Sequence, residues 1–499
     1  MSYNPDWQDL RRGAQTSLTE QIVERFRVAI DAGVLAPGEK LPTTRALAEQ
    51  AGVNHLTAVR AYRRLAEEGY VSATVGRGTF VRTVPPAAAA ASTGTAWQNA
   101  VLPEDRPSYP NEMLAQSFRL PEDPELISLA TGWPDPRLYP VQALQRTAAR
   151  VFDELGGEAL SYVNPEGAGS LREQLALRGR EHGFAASADE IVVTSGAYQA
   201  LDLVCRAIVS PGDVVAVESP TFMGMLSSLQ ATGARVIGIP TDGDGFDVAA
   251  LERVLARHEV KLVALQTACA NPTGQDMSPE RRERLVELAR ERSFFVLEDG
   301  VYATVRFEGE ERPRLRGAAP SHVVYVDSLS KTIGGGLRLG WVAASGPVRR
   351  RIATLKMSSD MHTSSLVQHV AAAYLAEGAH ELYVAGTLPV YRERRDALLD
   401  SLARRLEDEV TFVRPLGGHH VWVRFATPLD ERALFAEAVR QGVGFLPGGA
   451  MTAERPDETA LRLSFPLWEP DQLDEAVRRL AAAVRAVRRL ERGPLVAVS

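Results

Sequence analysis

The chain has 499 residues, 45% of them hydrophobic and 24% charged, with a formal net charge of −7. That length exceeds what one hydrophobic core usually organises, so two or three domains are expected, and the composition excludes wholesale disorder. The negative total argues against a protein coated in nucleic acid, yet the first 84 residues carry eleven Lys and Arg against nine Asp and Glu, so any DNA contact is expected to be local to that end.

Cys205 and Cys269 stand far apart, each in an apolar run, which supports neither a disulfide framework nor a metal site. Met1 to Arg12 is polar and lacks the apolar core of a signal peptide, and no run approaches the roughly 18 apolar residues that span a bilayer. A cytoplasmic location is expected.

Leu18, Ile22, Phe26 and Ile30 recur every four residues and predict a first helix ending near Gly33. Thr43 is placed to cap a second helix over Arg45–Ala51, Gly52 supplies a tight turn, and a third helix is expected from Asn54 to Glu68. Tyr70–Val75 and Thr79–Arg82 read as two strands around Gly76-Arg77-Gly78, a short hairpin. Pro85-Pro86, five alanines and a Ser-Thr-Gly-Thr run then read as a linker, taken as residues 84–120 after a first domain over 12–83.

Beyond Ser128 short apolar runs alternate with amphipathic stretches of helix length: Ile191–Thr194, Val214–Glu218, Val236–Ile239, Leu262–Gln266, Phe294–Glu298 and Val323–Asp327. That alternation implies an α/β domain, expected over 121–492, with a mainly parallel sheet and helices on both faces. From about Pro347 helices dominate, with strands near Val421–Phe425 and Leu461–Ser464, which predicts a small α+β subdomain. Asn271, Asp299, Ser328 and Lys331 fall just past strand ends, the edge where open α/β sheets bind ligands.

The chemistry of that edge is specific. A lysine that condenses with an aldehyde must lose its proton, which a desolvated pocket and the nearby cation Arg338 favour. Asp299 stands at the end of an apolar strand, where a carboxylate can face a protonated group of a bound ligand. Thr194-Ser195-Gly196-Ala197-Tyr198 sits at a strand-to-helix junction, where free amides and the helix dipole favour a phosphate.

Asn271-Pro272-Thr273-Gly274, Asp299-Gly300-Val301-Tyr302 and Asp327-Ser328-Leu329-Ser330-Lys331 with Arg338, in that order, resemble the class I and II aminotransferases of the fold-type I enzymes that use pyridoxal phosphate. The resemblance implies that Lys331 carries the cofactor and that Ser328, Arg338 and Ser195, Gly196, Ala197 and Tyr198 bind its phosphate. It further implies that Asn271 and Tyr302 bond the ring oxygen, Phe222 stacks on the ring, and Tyr162 reaches a phosphate across a homodimer interface. Arg462 corresponds to the arginine that takes an amino acid's carboxylate, and Gly132 to a residue of the substrate pocket, although Trp133 is bulkier than the family pattern.

Residues 18–82 resemble the GntR winged helix-turn-helix, through Leu35-Ala36-Pro37-Gly38-Glu39-Lys40-Leu41-Pro42, Gly69-Tyr70-Val71 and Gly76-Arg77-Gly78-Thr79-Phe80-Val81. Asn54, His55, Thr57 and Arg60 are then the candidates for a major groove, and Arg45 and Arg77 for phosphates or the minor groove. Asn54-His55 departs from the Ser-Arg common in that family.

The two resemblances together are similar to the MocR-type regulators. They imply an operator-binding homodimer whose large domain senses pyridoxal phosphate, an amino acid or amine, or both. The alternative is an active aminotransferase, of the 2-aminoadipate type, that carries a DNA module; the sequence leaves turnover open.

Overall fold

A computed structural model of the chain describes residues 7, 17–31, 35, 38–67, 70–74, 78–81, 116, 125–454 and 458–491. Two compact units divide the chain, Met1–Arg106 and Pro107–Ser499. The expectations for Gly33, Arg77, the 84–120 linker apart from Gln116, and the domain edges at 12, 83, 121 and 492 lie outside the described residues.

In the first unit, α1 (Leu18–Asp31), α2 (Thr44–Gln50) and α3 (His55–Glu67) precede an antiparallel pair, β1 (Val71–Thr74) and β2 (Gly78–Val81). The four-residue spacing of α1 buries Ile22 and Phe26 against Leu47, Tyr62 and Leu65, giving the unit its own core. Thr43 caps α2 by accepting from Ala46 N, and Gly52 turns the chain at φ +60°. One feature was not legible: residues 38–41 run along β2, with Leu41 N bonded to Thr79 O and Val81 N to Glu39 O.

The second unit is built on an eight-stranded sheet. In chain order its strands are β4 (Ile191–Thr194), β5 (Val214–Ser219), β6 (Arg235–Asp242), β7 (Gly245–Phe246), β8 (Val260–Leu265), β9 (Phe295–Asp299), β10 (Val323–Ser328) and β11 (Gly340–Ala343); β3 (Ile127–Ser128) precedes them elsewhere. The spatial order is β4-β11-β10-β9-β8-β5-β6-β7. Strands β10, β9, β8, β5 and β6 run parallel, while β11 is antiparallel to both β10 and β4. All six expected strands are present; β11 was not anticipated.

Alternation along the strands explains why both faces are covered. Val217, Leu262, Leu297 and Val326 pack with α4 (Ala197–Ile208) and with Ile352 of α5 (Gly346–Asp360), whereas Ala216, Val263 and Val296 pack with Leu285 and Leu288 on the other side. Toward the C-terminus a subdomain forms in which α6 (Ala379–Leu406) and α7 (Pro470–Glu491) lie on a sheet of β12 (Val410–Phe412), β13 (His420–Phe425), β16 (Ala460–Ser464) and β15 (Leu446–Pro447). A further two-residue strand, β14 (Val443–Gly444), pairs with β3 and ties Ile127 into that subdomain. Among the described residues no helix is long and apolar enough to cross a membrane.

Candidate cofactor site and DNA-facing helix

A cavity of about 600 Å³ opens beyond the C-terminal ends of β8, β9 and β10. Its wall gathers Gly132, Ala197, Tyr198, Phe222, Asn271, Asp299, Tyr302, Ser328, Lys331, Arg338 and Arg462, residues spread over 331 positions of sequence. Parallel strands put their carboxyl ends on one side of the sheet, and the loops that follow them converge there.

Lys331 follows β10 by three residues, and its Nζ donates to Gly132 O at 2.9 Å. Burial, then repulsion from Arg462 and Arg338, lowers its ammonium from the usual 10.5 to about 8. About a tenth is therefore the free amine at pH 7, against far less than a hundredth for an ordinary lysine. Asp299, the last residue of β9, is pushed up to about 6, chiefly by burial and further by the Asp327 charge, against hydrogen bonds from Val301 N and Gln266. It remains mostly a carboxylate at pH 7.

The phosphate end is built from a helix start and a cation. Gly196 caps α4 at φ +90°, and a Cβ there would lie 2.7 Å from Arg338 Nη2, so only glycine lets the guanidinium lie against the helix entrance. Arg338 holds its place by donating to Ser195 O at 3.1 Å. Ser195 and Gly196 back this corner without lining the cavity: Ser195 N is bonded to Gln199 and its hydroxyl to Asp360. Phe222 meets Tyr198 edge to face at 5.3 Å between centroids.

At the opposite end Arg462 is buried, donating to Asn271 Oδ1 at 3.2 Å and to Ala130 O at 2.5 Å. Burial lowers its guanidinium to about 10, yet it stays charged at neutral pH, and its Nε has no partner among the described residues. A buried cation with an unspent donor suits a carboxylate. Tyr162 is the exception: it is 86% exposed, stands edge to face with His362, and does not line this cavity.

Sequence reasoning missed the groups that support these. Gln266 donates to Asp299 and accepts from Asn271 N, and its own N–H is held by Glu218, a fully buried acid whose pKa burial raises well above normal. His419 and His420 were also missed; they lie over Gly132, with His420 lining the cavity. The paired doublets Gly417-Gly418 and His419-His420 at the entry to an apolar strand were the available signal. Among the described residues no group of three or more His, Cys, Asp or Glu is placed to hold a metal ion.

On the first unit, Arg45, Asn54, His55 and Arg60 are exposed and Thr57 half-buried, all on or beside α2 and α3. Two of them are already engaged: Asn54 Oδ1 accepts from Leu56 N as a helix cap, and His55 Nε2 lies 3.1 Å from Thr44 Oγ1. Leu56, 62% exposed on the same helix, was not foreseen, and an exposed apolar group there suits a thymine methyl.

Residues 124–480 match the aminotransferase class I and II family, and residues 18–81 match the bacterial regulatory proteins of the gntR family. The aromatic-amino-acid aminotransferase 1 of Thermococcus litoralis is 32% identical over 379 residues, 74% of this chain and 91% of that protein. The HTH-type transcriptional regulator YdcR of Escherichia coli, itself uncharacterised, is 30% identical over 469 residues, 93% of this chain and 98% of its own length. That match runs through both units. The chain belongs to the MocR-type regulators, a GntR head joined to a class I and II aminotransferase domain. The MocR-type large domain is similar also to LysN, the α-aminoadipate aminotransferase of Thermus thermophilus, solved with N-(5'-phosphopyridoxyl)-L-leucine. That likeness has a TM-score of 0.70 at 32% identity and covers 76% of this chain and 95% of LysN.

Proposed function

We propose that the large domain holds pyridoxal phosphate at Lys331 and senses the cofactor, alone or with an amino compound, to set how the GntR head binds its operator. What supports this reading is one observation: a buried amine of lowered basicity shares a cavity with a buried carboxylate and two guanidinium groups. The residues fit the group. When bound, pyridoxal phosphate supplies a carbonyl for an amine and an electron-withdrawing ring.

In this reading Asp299 retains the proton on the ring nitrogen, and Asn271 and Tyr302 face the ring oxygen. Arg338, Ser328, Ala197 and Tyr198 hold the phosphate, with Ser195 and Gly196 shaping that corner. Phe222 covers one ring face. Arg462 pairs with the carboxylate of an amino acid, and Gly132 borders its side chain.

Tyr162 belongs to a second copy's site. Its exposure, beside Leu160 at 65% and Phe152 at 42%, is what a subunit contact would cover, so the protein is a homodimer in this reading. Arg45, Asn54, His55, Thr57, Arg60 and Arg77 face DNA, and the protein works in the cytoplasm. Residues 12–83, 84–120 and 121–492 are the head, linker and sensor. A ligand shifts the head only by binding one arrangement better than another.

The same buried Arg462 and Lys331 favour a second reading, turnover as an aminotransferase. The test is a gel shift with DNA from the chain's own promoter region, with and without the cofactor and a panel of amino acids. A mobility change that tracks ligand supports sensing. Product from an amino donor and a keto acid, with DNA binding indifferent to both, supports the enzyme.

A further inference from the structure

His420 opens β13 and pairs across the sheet with Ser464 of β16. Its ring is buried and makes two bonds: Nδ1 lies 2.9 Å from Ser464 Oγ, and Nε2 lies 2.9 Å from Tyr302 Oη. Gly132 lies close against the ring, where an added Cβ would sit 2.2 Å from its Cε1. The charged or titratable groups facing it are Arg462, Lys331, His419 and Tyr302, with no carboxylate bonded to it among the described residues, so burial and the neighbouring Arg462 and Lys331 keep it neutral.

A neutral imidazole has one N–H and one lone pair, and a hydroxyl can bond either. Two arrangements are possible. If Nδ1 carried the hydrogen, Ser464 Oγ would accept it, and the Ser464 hydroxyl hydrogen would be buried with no other partner among the described residues. If Nε2 carries it, Ser464 donates to Nδ1 and the ring donates to Tyr302. The one hydroxyl hydrogen then without a partner is that of Tyr302, which lines the cavity where a ligand can accept it, whereas Ser464 does not line the cavity.

We propose that His420 is a positioning residue which, as the Nε2–H tautomer fixed by Ser464, donates to the Tyr302 oxygen and so commits the Tyr302 hydroxyl to donate toward the cofactor's ring oxygen. This rests on the cofactor reading above. A committed donor there stabilises negative charge on the ring oxygen and lowers the pH at which the lysine-linked cofactor loses its proton.

The test is the pH titration of the visible absorbance of the cofactor-loaded protein. Tyr302→Phe is expected to raise the midpoint by about one unit, a tenfold change in proton affinity. His420→Phe is expected to raise it by about half a unit, roughly threefold, and His420→Gln, which keeps an amide donor, to restore it most of the way. Ser464→Ala frees the tautomer without altering the ring's packing and is expected to shift the midpoint upward as His420→Phe does. An unmoved midpoint in His420→Phe and Ser464→Ala, beside a shifted Tyr302→Phe, would overturn the assignment. A wild-type protein with no visible band at excess cofactor would overturn it together with the cofactor reading.

Discussion

Gln266 Nε2 donates to Asp299 Oδ2 at 2.9 Å, and the same side chain accepts from the backbone N–H of Asn271 at 2.5 Å. One buried amide thus orients two neighbouring groups of the cavity. Gln266→Leu would leave a buried carboxylate and a buried N–H each short of a partner, at a cost of about 1–3 kcal/mol in unfolding free energy. Because the lost donor had held the Asp299 pKa down, that pKa rises further above about 6. Cofactor retention should then fail at a higher pH as the solution is acidified. Denaturant melts and absorbance after gel filtration across pH 5–8 check both outcomes.

Lys331 sets the pH dependence of capture. With its ammonium lowered to about 8, the free amine grows about tenfold per pH unit below that value and levels above it. Stopped-flow absorbance on cofactor-stripped protein should show the capture rate flattening near pH 8. A rate still climbing toward pH 10 would mean the amine is solvated.

Gly132 is required by its neighbours rather than by its backbone. Gly132→Ala drives a methyl into the His420 ring, which Tyr302 and Ser464 hold in place. Overpacking of this kind costs about 1–3 kcal/mol, and the displaced ring disturbs Tyr302. The melting temperature should fall by several degrees, and the visible band of the loaded protein should shift or vanish.

Arg60 separates the two functions. It is exposed on α3, so Arg60→Ala should weaken DNA binding and reduce the slope of log affinity against log salt by about one, if it contacts a phosphate. The visible band should be unchanged, since the sites lie in different units. Fluorescence anisotropy at several salt concentrations reads the first effect and absorbance the second.

The sheet was largely legible because its central parallel strands carry runs of apolar residues buried on both faces, as β8 does at Leu262, Val263, Ala264 and Leu265. Strand β11 was not, since four residues beginning with Gly340 carry no periodicity and pair only through contacts with β4 and β10. In the site, motif spacing brought out Asn271, Asp299, Tyr302 and Lys331, which the fold places together. Gln266 and His420 escaped because their partners, Asp299, Tyr302 and Ser464, are 33, 118 and 44 residues away in sequence. Asn54 shows a different limit: a short polar residue before a helix reads equally as a groove contact or a cap, and only its bond to Leu56 N reveals the cap.

Sensing requires that occupancy of the large domain's cavity change operator binding. The direct measurement is the apparent Kd for labelled promoter DNA, by anisotropy, for wild type and Lys331→Ala with and without pyridoxal phosphate and amino acids. A ligand-dependent shift of about fivefold or more in wild type, the scale of an ordinary allosteric coupling, that is absent in Lys331→Ala is the predicted result. Identical affinities in wild type under every condition, with the cofactor visibly bound, would contradict it.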